Sequence, residues 1–208
     1  SGLVFPVSEE DIMIDPVKIE NHWPRIAAID FGWDHPTAMV WCAVDNESET
    51  FYIYDCYRAS KASPTVHASN IRMRPHFIPI AYPHDGNRRD SMGNPGLADQ
   101  YRNLGCNFLL EHFSNPPALG VNKGSNSIEE GLMAMLQAVE AATFKVFSTL
   151  SDWFEEFRMY HRKFNKVVPI RDDLMSATRY AFQSQRFAVS GKDPTWTQEV
   201  NYGNYGIV

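Results

Sequence analysis

The sequence predicts an α/β fold with a central mixed β-sheet flanked by helices, and three observations carry that expectation. Three β-rich runs follow one another between Arg25 and Tyr57, helical patterns then alternate with short apolar runs, and the patterned part closes on a helix. The 208 residues, 44% of them hydrophobic and 21% charged, suit one globular domain with a sizeable core.

Residues 1–24 read as a connector, broken up by Pro6, Pro16 and Pro24. The β runs Arg25–Gly32, Ala38–Val44 and Thr50–Tyr57 follow, and the turn Asp45–Ser48 between the last two predicts an antiparallel meander. A helix over Pro64–Met73 starts on proline, which favours a first helical position. Phe77–Pro83 is a fourth apolar run and ends at His84-Asp85-Gly86. Helix Gly96–Gly105 then leads to a strand at Asn107–Leu110.

After the loop "SNPPALGVNKG", Ser127 and Glu130 have the S-x-x-E spacing of a capping box. Ile128, Leu132, Met135 and Val139 recur at helical spacing behind it, and Met133 and Met135 are expected in that helix's core. Phe144–Phe147 is a strand candidate, and Trp153, Phe157, Tyr160 and Phe164 mark one face of a further helix. "KVVPIRDD" is an extended segment feeding a last helix from Asp172 to about Phe187. The domain is thus expected over 25–189, with a loosely ordered tail over 190–208.

Composition narrows the function classes. No apolar run reaches the roughly 20 residues of a membrane helix, and the acidic start lacks the basic flank of a signal peptide. Cys42, Cys56 and Cys106 form no C-x-x-C pair and read as free thiols of a reducing compartment. A net charge of −6 offers no basic footprint over the whole domain, although local basic patches remain compatible with nucleic acid.

The chemistry is expected at carboxylates. Asp30 ends the first β run, Asp85 follows the fourth, and Asp172-Asp173 open the last helix. Each alone is an ordinary turn former or helix cap. If the first and fourth strands are neighbours, however, Asp30 and Asp85 come within reach of each other, and adjacent carboxylates repel unless a proton or cation intervenes. Magnesium and manganese prefer such oxygen ligands, and two ions about 4 Å apart clamp the attacking and leaving oxygens of a phosphodiester.

On the last helix Leu174, Ala177, Thr178 and Ala181 form the expected buried arc. Asp173 borders that arc and is the expected ligand. Asp172 falls on the polar side with Arg179 and is the expected cap, or the alternate ligand. Arg88, Arg89 and more weakly Lys123 are candidates for phosphate contacts, against the alternative of solvated loops. Lys163, Lys166 and Arg171 are candidates for a basic hairpin edge against DNA, or for plain strand-edge protection. His84 could assist proton transfer, but a histidine in such a turn is more often structural.

"RIAAIDFGWDHPTA", "AYPHDG", "VNKGSNSIEEGLMAML", "DWFEEFRMYHRK" and "VPIRDDLMSATRYA", in that order, resemble the nuclease domain of tailed-bacteriophage large terminase subunits, podovirus ones most of all. The resemblance covers about residues 3–185. It implies a ribonuclease H-like fold and an endonuclease that uses two Mg²⁺ or Mn²⁺ ions to cut double-stranded concatemeric viral DNA during packaging. Its motifs fall on Asp30, Asp85 and Asp173, with Asp34 as a turn residue. Many relatives carry an acidic residue where this chain has Ser176, which leaves Asp172 and Asp173 interchangeable.

"GLVFPV" resembles the stretch that joins the family's ATPase domain to its nuclease, so residues 1–24 are expected to lead from such a domain. No G-x-x-x-x-G-K-[ST] occurs in this chain. The resemblance further implies the ATPase domain of the same chain, the small terminase subunit and the portal protein as partners. It implies the cytoplasm of an infected bacterium, transiently at the procapsid portal, as the location, and no membrane. Two alternatives stand beside it. "IDFGWDHPTA" also resembles an actin-like ATPase phosphate loop, without the second copy that such a site needs. A non-catalytic docking domain for DNA or the portal is the other, although unneutralised carboxylates facing DNA would repel its phosphates.

Overall fold

In the computed structural model, residues 2–4, 6–87, 93–163, 166–167 and 172–191 are described. The chain runs β1 (Gly2–Leu3), α1 (Glu9–Ile12), β2 (Met13–Ile14), β3 (Arg25–Asp30), β4 (Thr37–Asp45), β5 (Thr50–Ala59), α2 (Pro64–Ile71) and β6 (Ile80–Ala81). It continues through α3 (Leu97–Asn103), α4 (Ile128–Glu140), β7 (Phe144–Phe147), α5 (Ser151–Met159), β8 (His161–Lys163), β9 (Lys166–Val167) and α6 (Asp173–Gln183).

β3, β4 and β5 form the expected antiparallel meander. The Asp45 carboxylate accepts from the Glu47 amide at 2.9 Å and the Ser48 hydroxyl at 2.7 Å, which shapes the turn. β6 joins β3 in parallel, and β7 joins β5 in parallel. The six-stranded sheet has the order β2-β7-β5-β4-β3-β6 and is mixed. A second, small sheet has the order β1-β8-β9.

β3 is apolar at nearly every position because both of its faces are covered. Ile26 and Ala28 pack with Leu132, Met135, Trp153, Leu174 and Ala177 of α4, α5 and α6. Ala27 and Ile29 pack on the other side with Ala68, Ile71, Ala98 and Tyr101 of α2 and α3. No described helix is long and apolar enough to cross a membrane.

Several expectations change. β1, α1 and β2 lie within the stretch expected as a connector, with Ile12 buried and β2 parallel to β7 at the sheet edge. Asn107–Leu110 contributes a single bridge, Phe108 to Ile80, rather than a strand. Its partner β6 is short because Pro79 and Pro83 flank it, and proline donates no ladder hydrogen bond. α5 stops at Met159, and Tyr160 turns to extended geometry while staying buried; Phe164 lies outside the described residues.

Met133 is exposed, not in the core, because it is a helical step beyond the arc of Leu132, Met135 and Val139. Arg179, expected on the polar side of α6, is buried. Gly131 of α4 makes room for it: a Cβ there would lie 2.7 Å from the Arg179 Cγ. The tail from 192 onward lies outside the described residues.

Candidate functional site

Asp30 is the last residue of β3 and pairs with Ala38 of β4. The loop between them is closed by Thr37, whose buried hydroxyl accepts from the Gly32 amide at 3.1 Å and donates to the Gly32 carbonyl at 2.9 Å. A Cβ on Gly32 would stand 2.3 Å from the His35 carbonyl oxygen, so the turn admits only glycine there. The Trp33 carbonyl accepts from the Lys61 amide at 2.8 Å and pins the outer part of the loop.

Parallel strands leave a sheet at the same edge, so β6 delivers the chain beside the end of β3. It passes into a 3-10 turn, His84–Asn87, that carries Asp85 exposed to solvent. Gly86 lets this turn sit close, since a Cβ there would lie 2.8 Å from both the Phe31 and Tyr82 rings. α6 packs across β3 and β4 and brings its N-terminus to the same edge. Asp173 is buried there at 7% exposure, and its Oδ2 has no hydrogen-bond partner among the described residues.

Asp30 interacts electrostatically with Asp85 and with both acids at the start of α6. Burial first, then Asp173, Asp172 and Asp85, push the Asp30 carboxyl up to about 8. The nearby Tyr180 phenol partly counters this. Burial also raises Asp173, while His35 and Arg58 lower it. Asp172 is raised by burial and by Asp173, with His35 and Arg179 acting the other way. Burial and the Asp30 charge raise the Tyr180 phenol, so it stays a proton donor.

These are hard oxygen donors held against their own charge, and the orphaned buried oxygen of Asp173 fits a divalent cation in kind. Among the described residues, no three His, Cys, Asp or Glu side chains converge as a ready-made metal cage. Magnesium keeps several waters and takes one or two carboxylates directly.

Asp172 does occupy the N-cap of α6, but its side chain makes no capping hydrogen bond. The cap comes from α5 instead: the Glu156 Oε2 accepts from the Leu174 amide at 2.7 Å and the Met175 amide at 3.3 Å. Glu156 is 1% exposed. Neither Glu156 nor Tyr180 is among the residues expected at the site, and both leave a trace in the sequence. Glu156 is an acid on the apolar arc of Trp153, Phe157 and Tyr160, and Tyr180 follows Asp173 on the same helix face, two turns on.

The basic candidates are more scattered. Lys163 and Lys166 are register partners in the β8–β9 hairpin. Arg88, Arg89 and Arg171 lie outside the described residues. Lys123 is exposed on a loop tied down at Asn115, which accepts from Gln183 at 3.2 Å. Gln183 ends α6, so this loop is anchored about 15 Å along the helix from Asp173.

The family model for the terminase RNaseH-like domain matches residues 27–185. The chain belongs to that family. It is 34% identical over 194 residues to the large terminase subunit of Salmonella phage P22, covering 93% of this chain and 38% of that protein. The chain therefore spans well under half the length of this curated relative.

The P22 large terminase nuclease domain superposes with a TM-score of 0.81 at 34% identity, over 91% of this chain and 95% of that one. Two more distant structures share the ribonuclease H-like fold. The nuclease of phage G20c, solved with bound magnesium, has a TM-score of 0.56 at 13% identity, over 87% of this chain and 96% of that one. The nuclease domain of phage SPP1, solved with bound manganese, has a TM-score of 0.54 at 18% identity, over 83% and 94%. Family membership overturns the actin-like reading of the Asp30 loop; the terminase domain uses that turn to close β3 onto β4.

Proposed function

We propose that this terminase domain is a divalent-metal-dependent endonuclease that hydrolyses phosphodiester bonds of double-stranded DNA. The observation that carries the reading is the crowding of Asp30, Asp85, Asp172 and Asp173 at one sheet edge, with an unpartnered Asp173 oxygen buried among them. Carboxylates so placed are costly as bare anions and gain most when a cation replaces their protons.

Asp30, Asp85 and Asp173 are the proposed ligands, with Asp172 as alternate. Tyr180, whose phenol favours the Asp30 anion, is proposed to steady that carboxylate. Asp85, on the exposed turn, is the ligand nearest solvent and the incoming backbone. Two Mg²⁺ or Mn²⁺ ions, when bound, would polarise the phosphate, lower the pKa of a water nucleophile and stabilise the leaving oxygen. Related nucleases solved with magnesium and with manganese support that choice of ion.

Arg88, Arg89, Lys123, Lys163, Lys166 and Arg171 are proposed to contact backbone phosphates, which position a duplex without reading its sequence. In the full-length protein we place this activity in the packaging of concatemeric viral DNA, in the cytoplasm of an infected bacterium and transiently at the procapsid portal. Residues 1–24 then lead from an ATPase domain of the same chain, with the small terminase subunit and portal as partners. The match to the P22 large subunit supports that context.

Supercoiled plasmid incubated with Mg²⁺, Mn²⁺ or EDTA tests the activity. Nicking and linearisation are expected only with metal and only when Asp30 is intact. Equal cutting in EDTA, or by Asp30→Asn, would overturn the reading.

A further inference from the structure

The sheet register ties the two halves of the carboxylate cluster together. Asp30 of β3 pairs with Ala38 of β4, and Ala38 pairs with Arg58 of β5. Directly opposed residues share a sheet face, so Asp30 and Arg58 project to the same side, the side that α5 and α6 cover. Arg58 spans to α5: its Nη1 donates to the Glu156 Oε1 at 3.1 Å, and its Nη2 donates to Glu155 at 2.6 Å and Asp152 at 3.3 Å.

The other oxygen of Glu156 accepts from the Leu174 and Met175 amides. These are among the first-turn donors that a helix cannot satisfy internally, and they directly follow Asp173. A buried carboxylate so close to another acid needs a cation, and Arg58 reaches it. A second tie from α5 lies one turn before Glu156, where the Trp153 indole donates to Thr178 at 2.9 Å.

We propose that Glu156, held by Arg58, is a positioning residue that fixes the first turn of α6 and thereby the aim of Asp173 toward Asp30. The proposal rests on the nuclease reading above. One row of the sheet then references both the strand carboxylate and the helix carboxylate, so their separation is set by rigid elements. Binding geometry at such sites depends on the groups that orient the ligands.

The test compares Glu156→Ala, Glu156→Gln and Arg58→Ala with wild type, using Mn²⁺ binding by calorimetry, plasmid cutting against Mn²⁺ concentration, and amide exchange at Leu174 and Met175 without metal. Trp153–Thr178 keeps α6 docked in each variant. For Glu156→Ala we expect exchange at both amides at least tenfold faster, Mn²⁺ affinity about tenfold weaker, and a rate at saturating Mn²⁺ within about threefold of wild type. Glu156→Gln keeps an oxygen acceptor and should restore affinity to within about threefold. Arg58→Ala should follow Glu156→Ala.

Faster exchange with unchanged Mn²⁺ affinity would overturn the proposal, since Glu156 would then serve stability alone. Unchanged exchange would overturn it as well. Wild-type protein that neither binds Mn²⁺ nor cuts DNA would overturn the nuclease reading itself, and the positioning role with it.

Discussion

The Tyr180 phenol favours the ionised form of Asp30, coupling the last helix to the end of the central strand. Tyr180 lies two turns after Asp173 on one face of α6, so a single helix presents a carboxylate and a phenol to Asp30. That interaction opposes burial and three neighbouring acids, which together hold the Asp30 carboxyl high.

Tyr180→Phe removes that support and should raise the Asp30 pKa further. One pH unit corresponds to about 1.4 kcal/mol of differential interaction, so at limiting Mn²⁺, where protons compete with the metal, the acidic limb of the cleavage profile should move up by about one unit. Plasmid nicking from pH 6 to 9 at limiting Mn²⁺ would measure it. A uniform loss at every pH would show that Tyr180 acts through packing.

Asp30 also makes metal-free stability depend on pH. Its folded value of about 8 stands above the ordinary carboxylate value of 3.8, so between the two the folded state holds a proton that the unfolded state has released. The stabilising contribution is complete below about 3.8 and is lost as pH rises through about 8. Asp30→Asn has no such proton to lose. Its melting temperature should gain on wild type between pH 4 and 8 and hold level above, and a constant gap in thermal melts would contradict this.

Asp172 and Asp173 should separate cleanly. Losing a working cap costs about 1 kcal/mol, but the Asp172 side chain makes no capping bond, so Asp172→Ala should change stability by under about 0.5 kcal/mol. Asp173→Ala should abolish cleavage and leave the metal-free fold as stable or more so. Urea unfolding beside plasmid assays decides it; an inactive Asp172→Ala with an active Asp173→Ala would exchange their roles.

Thr37→Val keeps the shape but strands the Gly32 amide and carbonyl in a part-buried turn. An unsatisfied buried polar group costs about 1–3 kcal/mol, so a loss in that range is expected by urea unfolding. Gly32→Ala should do worse, since its Cβ meets backbone rather than a movable side chain.

Arg88→Ala and Arg89→Ala, tested by DNA affinity against salt, should each flatten the slope by about one counterion. Unchanged slopes would return that loop to ordinary surface.

The features legible in the sequence were those written in local chemistry. Three apolar runs with a D-N-E-S turn specify the meander, and Asp30 and Asp85 stand out because each follows an apolar run beside glycine. Ser127 caps α4 as its S-x-x-E spacing implies, donated to by the Glu130 amide at 3.3 Å. The same local reasoning placed the α6 cap on Asp172, whereas the capping oxygen arrives from Glu156 on another helix. Arg179 was placed on a polar face because the space that buries it is made by Gly131 on α4. β1, β2 and β6 each span two residues, too short for any periodicity to register.

The pairing of Asp30 with Ala38 has one more consequence. Both ends of the intervening turn are rungs of a single ladder, so its contour length is decoupled from where the carboxylate sits. Doubling a flexible loop adds only about 0.6 kcal/mol of closure entropy. Asp34, exposed at its tip, is therefore where this scaffold can gain residues, graft a peptide or diverge over evolutionary time while Trp33 stays pinned to Lys61, His35 keeps its influence on Asp172 and Asp173, and the acid behind them keeps its address.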